Sequence, residues 1–145
     1  MSHAHPTILL VERDADLARA AATLCALEFN LQVCADASAA LGYLATASVA
    51  AQPFIILINL DLPKLEGLGV LRTLRINPAT HDTPLLVYSR EFNQAEVLLS
   101  YRAGANSFVP KPHDAAQYLA LFSSQLVYWL STRHWQANRQ ECVYV

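Results

Sequence analysis

With 145 residues, 54% of them hydrophobic and 15% charged, the chain carries enough apolar side chains for one buried core and too few charges for intrinsic disorder. Its formal net charge is −2 and its ten Lys and Arg are scattered, so it offers no electrostatic footprint for a phosphate backbone and direct nucleic-acid binding is not expected. The longest apolar stretches, Phe54 to Ile58 and Leu126 to Leu130, fall far short of the roughly 18 residues that a membrane span requires, and Met1 to Thr7 lack the basic region of a secretory signal. Cys25, Cys34 and Cys142 have neither metal-ligand spacing nor an even count, which fits reduced thiols in a cytoplasm. His3 and His5 read as two imidazoles on a terminal segment rather than as a metal site.

Five β-rich runs alternate with five segments of helical periodicity. Ile8 to Val11 is a continuous apolar strand of the kind covered on both faces, and Asp14 or Asp16 opens a helix in which Leu17, Ala21, Leu24 and Leu27 share a stripe. A strand around Leu31 to Ala35 precedes a helix from about Ser38, its expected N-cap, to Thr46. Phe54 to Ile58 is the most hydrophobic strand and should be central; after a loop from Asn59 to Gly67, Leu68, Leu71, Leu74 and Arg75 continue as a helix that Pro78 ends. Leu85 to Tyr88 and Ser107 to Val109 are the last two strands, followed by helices over about Asn93 to Ala103 and Asp114 to Ser131. This alternation predicts an α/β fold, a doubly wound (βα)5 five-stranded parallel sheet with helices on both faces and its site at the carboxyl ends of the strands. One domain is expected over residues 1–131, with a C-terminal tail at 132–145 and no output domain.

The strand ends read Glu12-Arg13-Asp14, Asn59-Leu60-Asp61, Ser89-Arg90 and Lys111-Pro112. Taken in order with Leu62-Pro63-Lys64-Leu65-Glu66-Gly67 and Gly104-Ala105, they make the chain resemble, over about residues 7–131, the flavodoxin-like receiver domain of two-component response regulators. The stretch Tyr101 to Val109, with Tyr128-Trp129-Leu130, resembles the stand-alone branch found beside bacterial phytochrome kinases. The resemblance implies a phosphorylated aspartate ending the third strand, a metal-binding acidic pair after the first, a Ser or Thr that binds the phosphoryl group, and a Lys before a cis-proline that pairs with it.

The chain departs from that pattern at two essential places. Asn59 stands at the phosphoacceptor position, and a carboxamide nitrogen is no nucleophile for phosphoryl transfer. The acidic pair falls on Glu12 and Arg13, which puts a permanently charged guanidinium where the resemblance implies a metal ligand. A pocket with three carboxylates and one lysine carries −2, whereas Glu12, Arg13, Asn59 and Lys111 together carry +1, so Mg²⁺ binding is expected to be lost and no cofactor or metal is expected. Arg13 is expected to take the metal's place, pairing with Glu12 or Asp61 and donating to the Asn59 oxygen. Ser89 and Lys111 remain as pocket residues, Lys111 as an anchor to Asn59 or Asp61. Pro112 is expected to keep a cis bond. Phe108, at the position of an aromatic that turns inward on phosphorylation in the family, is expected to be core. Asp61 lies about 6 Å along the chain from Asn59, too far for in-line transfer, and reads as a solvated loop aspartate. The loop after the first strand lacks the Gly, Ser or Thr that would cradle a flavin phosphate, so an enzyme of this fold is not expected.

In the last helix Ala115, Leu119, Phe122, Leu126 and Leu130 are expected to cover the sheet, leaving Tyr118, Leu121, Gln125, Tyr128 and Trp129 as a second face. With Val97, Leu98 and Tyr101 of the preceding helix, these residues are expected to form a homodimer interface through the fourth helix, fifth strand and fifth helix. The competing possibility is that this face is covered by the tail, with Cys142 to Val145 docking as a strand. The expected function is that of a cytoplasmic, phosphorylation-independent pseudo-receiver acting through protein–protein interaction, with a sensor histidine kinase such as a bacteriophytochrome as a second partner. The alternative is a conventional phosphorelay regulator phosphorylated at a displaced acid such as Asp61.

Overall fold

The computed structural model describes the backbone of residues 5–59, 64–90 and 93–143, and side chains within 5–59, 68–90 and 93–131. The strands are β1 (Thr7–Val11), β2 (Asn30–Cys34), β3 (Ile55–Asn59), β4 (Leu85–Ser89) and β5 (Ser107–Pro110), and the helices are α1 (Ala15–Cys25), α2 (Ala37–Thr46), α3 (Lys64–Ile76), α4 (Gln94–Ala103) and α5 (Ala115–Val143). All pair in parallel in the order β2-β1-β3-β4-β5, the doubly wound arrangement that the alternation predicts.

The apolar runs of β1, β3 and β4 have no polar face because both faces are covered. Leu9, Val11, Ile56, Ile58, Leu85 and Val87 pack on one side with Leu71 and Leu74 of α3 and Phe108 of β5. Ile8, Leu10, Ile55, Leu57, Leu86 and Tyr88 pack on the other with Ala21 and Cys25 of α1 and Phe122 and Leu126 of α5. The central strands are fully buried along their length, and each Leu or Ile there contributes about 1.5–3 kcal/mol.

Several expected boundaries shift for identifiable reasons. Asp36, not Ser38, caps α2, its carboxylate accepting from Ala39 N at 2.8 Å. Helix α1 ends at Cys25 and buries Leu17, Ala18, Ala21 and Cys25; Leu17 and Ala21 of the predicted stripe are buried, whereas Leu24 is half-exposed, with Cys25 in its place, and Leu27 lies beyond the helix and is 87% exposed. Helix α3 begins at Lys64, inside the stretch read as loop. Helix α5 continues through Val143, which places Cys142 and Val143 in a helix rather than a docked strand; Tyr144 and Val145 lie outside the described residues.

The turn from α4 into β5 is fixed by Gly104 and Arg75. Gly104 caps α4 in the left-handed region (φ 118°), where a Cβ would come 2.4 Å from Cγ of Arg75. The half-buried Arg75 guanidinium donates to the carbonyls of Gly104 (2.9 Å), His81 (3.0 Å) and Thr83 (2.7 Å) and to Oδ1 of Asn106, which also accepts from Leu85 N at 2.8 Å. One side chain thus ties the end of α3 to the edges of β4 and β5.

Candidate functional site

Parallel strands in register end together, and this brings Glu12, Asn59, Ser89 and Lys111 to one edge of the sheet, all buried. The ladder runs one residue past β1 and β5, with Glu12 N donating to Cys34 O at 2.9 Å and Lys111 N to Ser89 O at 2.8 Å. Those two bonds aim the Glu12 and Lys111 side chains at each other.

Glu12, 3% exposed, is the hub of the site. The ammonium of Lys111, 4% exposed, straddles its carboxylate, with Nζ 2.8 Å from Oε1 and 3.1 Å from Oε2. The Asn59 amide donates to Oε2 at 2.8 Å, and Asp14 N donates to the same oxygen at 3.1 Å. The carboxylate orients the Asn59 amide, because the reverse orientation would set two acceptor oxygens face to face. Asp14 caps α1, its Oδ1 accepting from Asp16 N (3.0 Å) and Leu17 N (3.2 Å).

Beneath the pair lies Tyr118, with the Lys111 Nζ 6.0 Å from its ring centroid. Tyr118 is 1% exposed and packs against Tyr88 and Phe122, at centroid distances of 5.9 and 6.3 Å. It therefore belongs to the floor of the site and to the core, which corrects its assignment to a partner-facing surface: Tyr118, Phe122 and Leu126 form the buried stripe of α5, whereas Ala115 is exposed and Leu119 half-buried. Burial first, then the nearby Glu12 carboxylate and Tyr88, push the Tyr118 phenol well above the ordinary tyrosine range; burial does the same to Tyr88. Among the described residues neither hydroxyl has a hydrogen-bond partner.

Other expectations change as well. Arg13 is exposed at the rim and makes no hydrogen bond or ion pair with the described residues, so it is Lys111 that neutralises Glu12. Lysine wins because it reaches Glu12 from inside the sheet edge, whereas Arg13, next in sequence to Glu12 on an extended backbone, points the other way. The Lys111–Pro112 bond is trans. Trans is the favoured isomer of an X-Pro bond, and here the Lys111 backbone and ammonium contacts already fix the loop. Phe108 is buried in the core, as expected. Asp61 lies outside the described residues.

Glu12, Arg13, Asp14, Asn59, Arg90 and Lys111 line an open cleft of about 250 Å³. Arg90, exposed at the end of β4, received no role from sequence; only its position after Ser89 signalled it. The six lining residues carry a net charge of +1. The divalent cation implied by the resemblance does not fit this donor set: Glu12 is held by Lys111, Asp14 is committed to its helix cap, and Asn59 faces Glu12 through its N–H. Among the described residues no three His, Cys, Asp or Glu side chains gather as a metal site.

Of the residues expected at a dimer interface, Leu98, Tyr101 and Tyr128 are exposed, the last at 61%. Val97, Leu121 and Trp129 pack partly into the two cores, and Gln125 is half-buried. The Tyr101 hydroxyl accepts from Phe108 N at 3.2 Å, which fixes the ring over β5.

Residues 8–123 match the family model described as the response regulator receiver domain. The chain is 27% identical over 131 residues to the response regulator Rcp1 of Synechocystis sp., covering 86% of this chain and 89% of Rcp1. It is 28% identical to the transcriptional regulatory protein CpxR of Escherichia coli, of which it spans 53%. The crystal structure of phosphorylated cyanobacterial phytochrome response regulator RcpA superposes with a TM-score of 0.75 at 29% identity, covering 89% of this chain and 96% of RcpA. The Mn²⁺-bound form of Rcp1 gives 0.74 at 26% identity, covering 88% and 96%.

Proposed function

This chain belongs to the response regulator receiver domain family, and from that premise we propose that it is a phosphorylation-independent, non-enzymatic receiver that signals by protein association in the cytoplasm. The observation that carries the proposal is the closed Glu12–Lys111–Asn59 network. Where Rcp1 is known with bound Mn²⁺ and RcpA in a phosphorylated form, this chain offers an amide at the acceptor position and an acidic residue already neutralised by lysine. No acyl phosphate forms at Asn59, and the buried pair supplies internally the charge balance that a metal and phosphoryl group would bring.

The partners that fit are a sensor histidine kinase of the phytochrome class, in line with RcpA, and a second copy of the chain through α4, β5 and α5. Leu98, Tyr101 and Tyr128 expose apolar and aromatic surface there, and aromatic anchors held rigid, as Tyr101 is by Phe108 N, suit an interface core. Among the described residues no helix is long and apolar enough to cross a membrane.

The test is incubation with a small-molecule phosphodonor and Mg²⁺ followed by intact-mass analysis of the wild type and of Arg13→Asp with Asn59→Asp. The expected result is no added phosphate on the wild type and phosphate on the double variant. Phosphate on the wild type, at Asp61 or elsewhere, overturns the proposal.

A further inference from the structure

We propose that the outer edge of β2 pairs antiparallel with β2 of a second copy, about a twofold axis at Gln32, and joins the two sheets into one. The inference goes beyond the proposed function: it uses the opposite edge of the sheet from α4, β5 and α5, and it stands whether or not that surface dimerises.

A sheet in the order β2-β1-β3-β4-β5 has two edges, and the chain treats them differently. At β5, Lys111 N donates to Ser89 O, so the alternate residues Ser107 and Val109 also face β4, and Phe108 and Pro110 face outward. Phe108 N is bonded to the Tyr101 hydroxyl at 3.2 Å and proline has no N–H, so this edge presents no free donor. At β2, Asn30 N donates to Pro6 O at 3.0 Å and Cys34 O accepts from Glu12 N at 2.9 Å, so Asn30, Gln32 and Cys34 turn their backbone groups toward β1. Leu31 and Val33 turn theirs outward, and among the described residues nothing pairs with them. The strand, Asn30-Leu31-Gln32-Val33-Cys34, carries none of the charges, prolines or bulges that ordinarily protect an edge.

The pattern is complementary to itself. When Gln32 stands opposite Gln32 of the second copy, each Leu31 faces a Val33, and every outward N–H meets an outward C=O, two bonds in each Leu31–Val33 pair. A register shifted by one residue opposes outward to inward groups, and a shift by two leaves a single such pair within the strand. Gln32 meets its own kind on the axis, where an amide, being both donor and acceptor, bonds and a charged residue repels. Leu31 and Val33, partly buried on the α1 and α5 side, cover each other's apolar surface. An antiparallel strand at the edge of a parallel sheet is common in doubly wound folds. The nearest charges along the chain, Glu28 and Asp36, lie outside the strand, with Asp36 bonded to Ala39 N at the cap of α2. Across the axis they form like-charged pairs, so added salt tightens the association. An edge of five residues makes a small interface, populated at concentrations on the order of hundreds of micromolar.

The test uses the full chain carrying Leu98→Glu and Tyr128→Glu, so that association through α4 and α5 does not contribute. Amide hydrogen exchange, followed by NMR from about 50 µM to about 2 mM protein, is expected to slow about threefold at Leu31 and Val33, and further in added salt, while Asn30 and Gln32 stay unchanged. Gln32→Glu and Gln32→Lys are each expected to abolish this dependence by setting like charges on the axis, and an equimolar mixture of the two is expected to restore it. Amide spectra at low concentration report that the variants fold, and should one fail to, the concentration and salt dependence of the protein with Gln32 decides the matter. Exchange at Leu31 and Val33 that is independent of concentration overturns the inference and leaves the edge to an extended segment of another protein. Dependence retained in either single variant, no recovery in the mixture, or weakening by salt overturns it as well. None of these outcomes touches phosphorylation, so the proposed function stands or falls separately.

Discussion

Removing Lys111 strands a buried carboxylate, and the cost follows from the geometry. In Lys111→Met the stem volume is kept, but among the described residues Glu12, 3% exposed, retains only the Asn59 amide and Asp14 N as donors for its full charge. Breaking a buried ion pair by deleting one member costs about 3–5 kcal/mol. For a domain of this length each kcal/mol lowers Tm by about 2–4 °C, so the expected drop is between about 6 and 20 °C. Glu12→Gln should be similarly harmful, because its amide N–H groups would then face the Lys111 ammonium. The double variant, Glu12→Gln with Lys111→Met, removes both charges while the Gln carbonyl still accepts from Asn59, so it should be more stable than the sum of the single losses by at least about 2 kcal/mol. Urea unfolding of all four proteins at neutral pH, with unchanged m-values, measures this cycle. A Lys111→Met loss below about 1 kcal/mol, or strict additivity, would refute the argument that this pair holds the strand ends together.

Alkaline titration should expose the buried phenols. Tyr88 and Tyr118 have folded-state pKa values raised by desolvation, so the folded state favours their neutral form; this stability is fully present below the unfolded tyrosine value near 10 and is lost as pH rises beyond it. Phenolate absorbance of both should therefore appear only together with unfolding, and a reversible titration of either near pH 10 in folded protein would contradict their burial. Gly104→Ala should cost about 1–3 kcal/mol, from the left-handed backbone and the contact with Arg75 Cγ at 2.4 Å, and a neutral result in thermal unfolding would show that the clasp yields easily. Arg75→Lys should destabilise nearly as much as Arg75→Ala, because one ammonium cannot serve the Gly104, His81 and Thr83 carbonyls together; full rescue by Lys in the same assay would contradict this. Leu98→Glu with Tyr128→Glu should convert a dimer to a monomer in light scattering at tens of micromolar while leaving Tm within a few degrees, and a monomeric wild type would refute the α4–β5–α5 dimer.

The doubly wound sheet is legible because its signals are redundant: three strands with unbroken apolar runs of four residues are intelligible only if both faces are covered, and each is followed by a helical period. The site was legible as a set of positions, since strand ends in a parallel sheet meet at one edge. Its wiring was not. Whether Arg13 or Lys111 reaches Glu12 depends on side-chain direction over a chain separation of 99 residues, which no local pattern encodes. Tyr118 lies three and seven residues from Leu121 and Gln125 and four and eight from Phe122 and Leu126, so helical spacing alone suits either face, and only its burial places it on the inner stripe. The Arg75 clasp was invisible for the same reason as the Glu12 pair: its acceptors are backbone carbonyls in two other loops.

The pairing of Glu12 with Lys111 also predicts the order in which function can be restored. Asn59→Asp alone places a second carboxylate within reach of Lys111 but only brings the cleft's lining charge from +1 to 0, with both guanidinium groups still facing any entering cation. The new aspartate would compete with Glu12 for the ammonium rather than gather a metal. Adding Arg13→Asp takes the lining charge to −2 and supplies the missing oxygen donor, so Glu12 and both new aspartates can share a divalent ion while Lys111 turns to the acceptor. Mg²⁺ affinity should therefore be undetectable at low millimolar concentration in the wild type and in Asn59→Asp, and appear in the double variant. Isothermal titration of the three proteins decides it. Tight Mg²⁺ binding by Asn59→Asp alone would mean that Arg13 does not govern the charge of the cleft, and that the loss of the acceptor aspartate by itself accounts for the disarmed site.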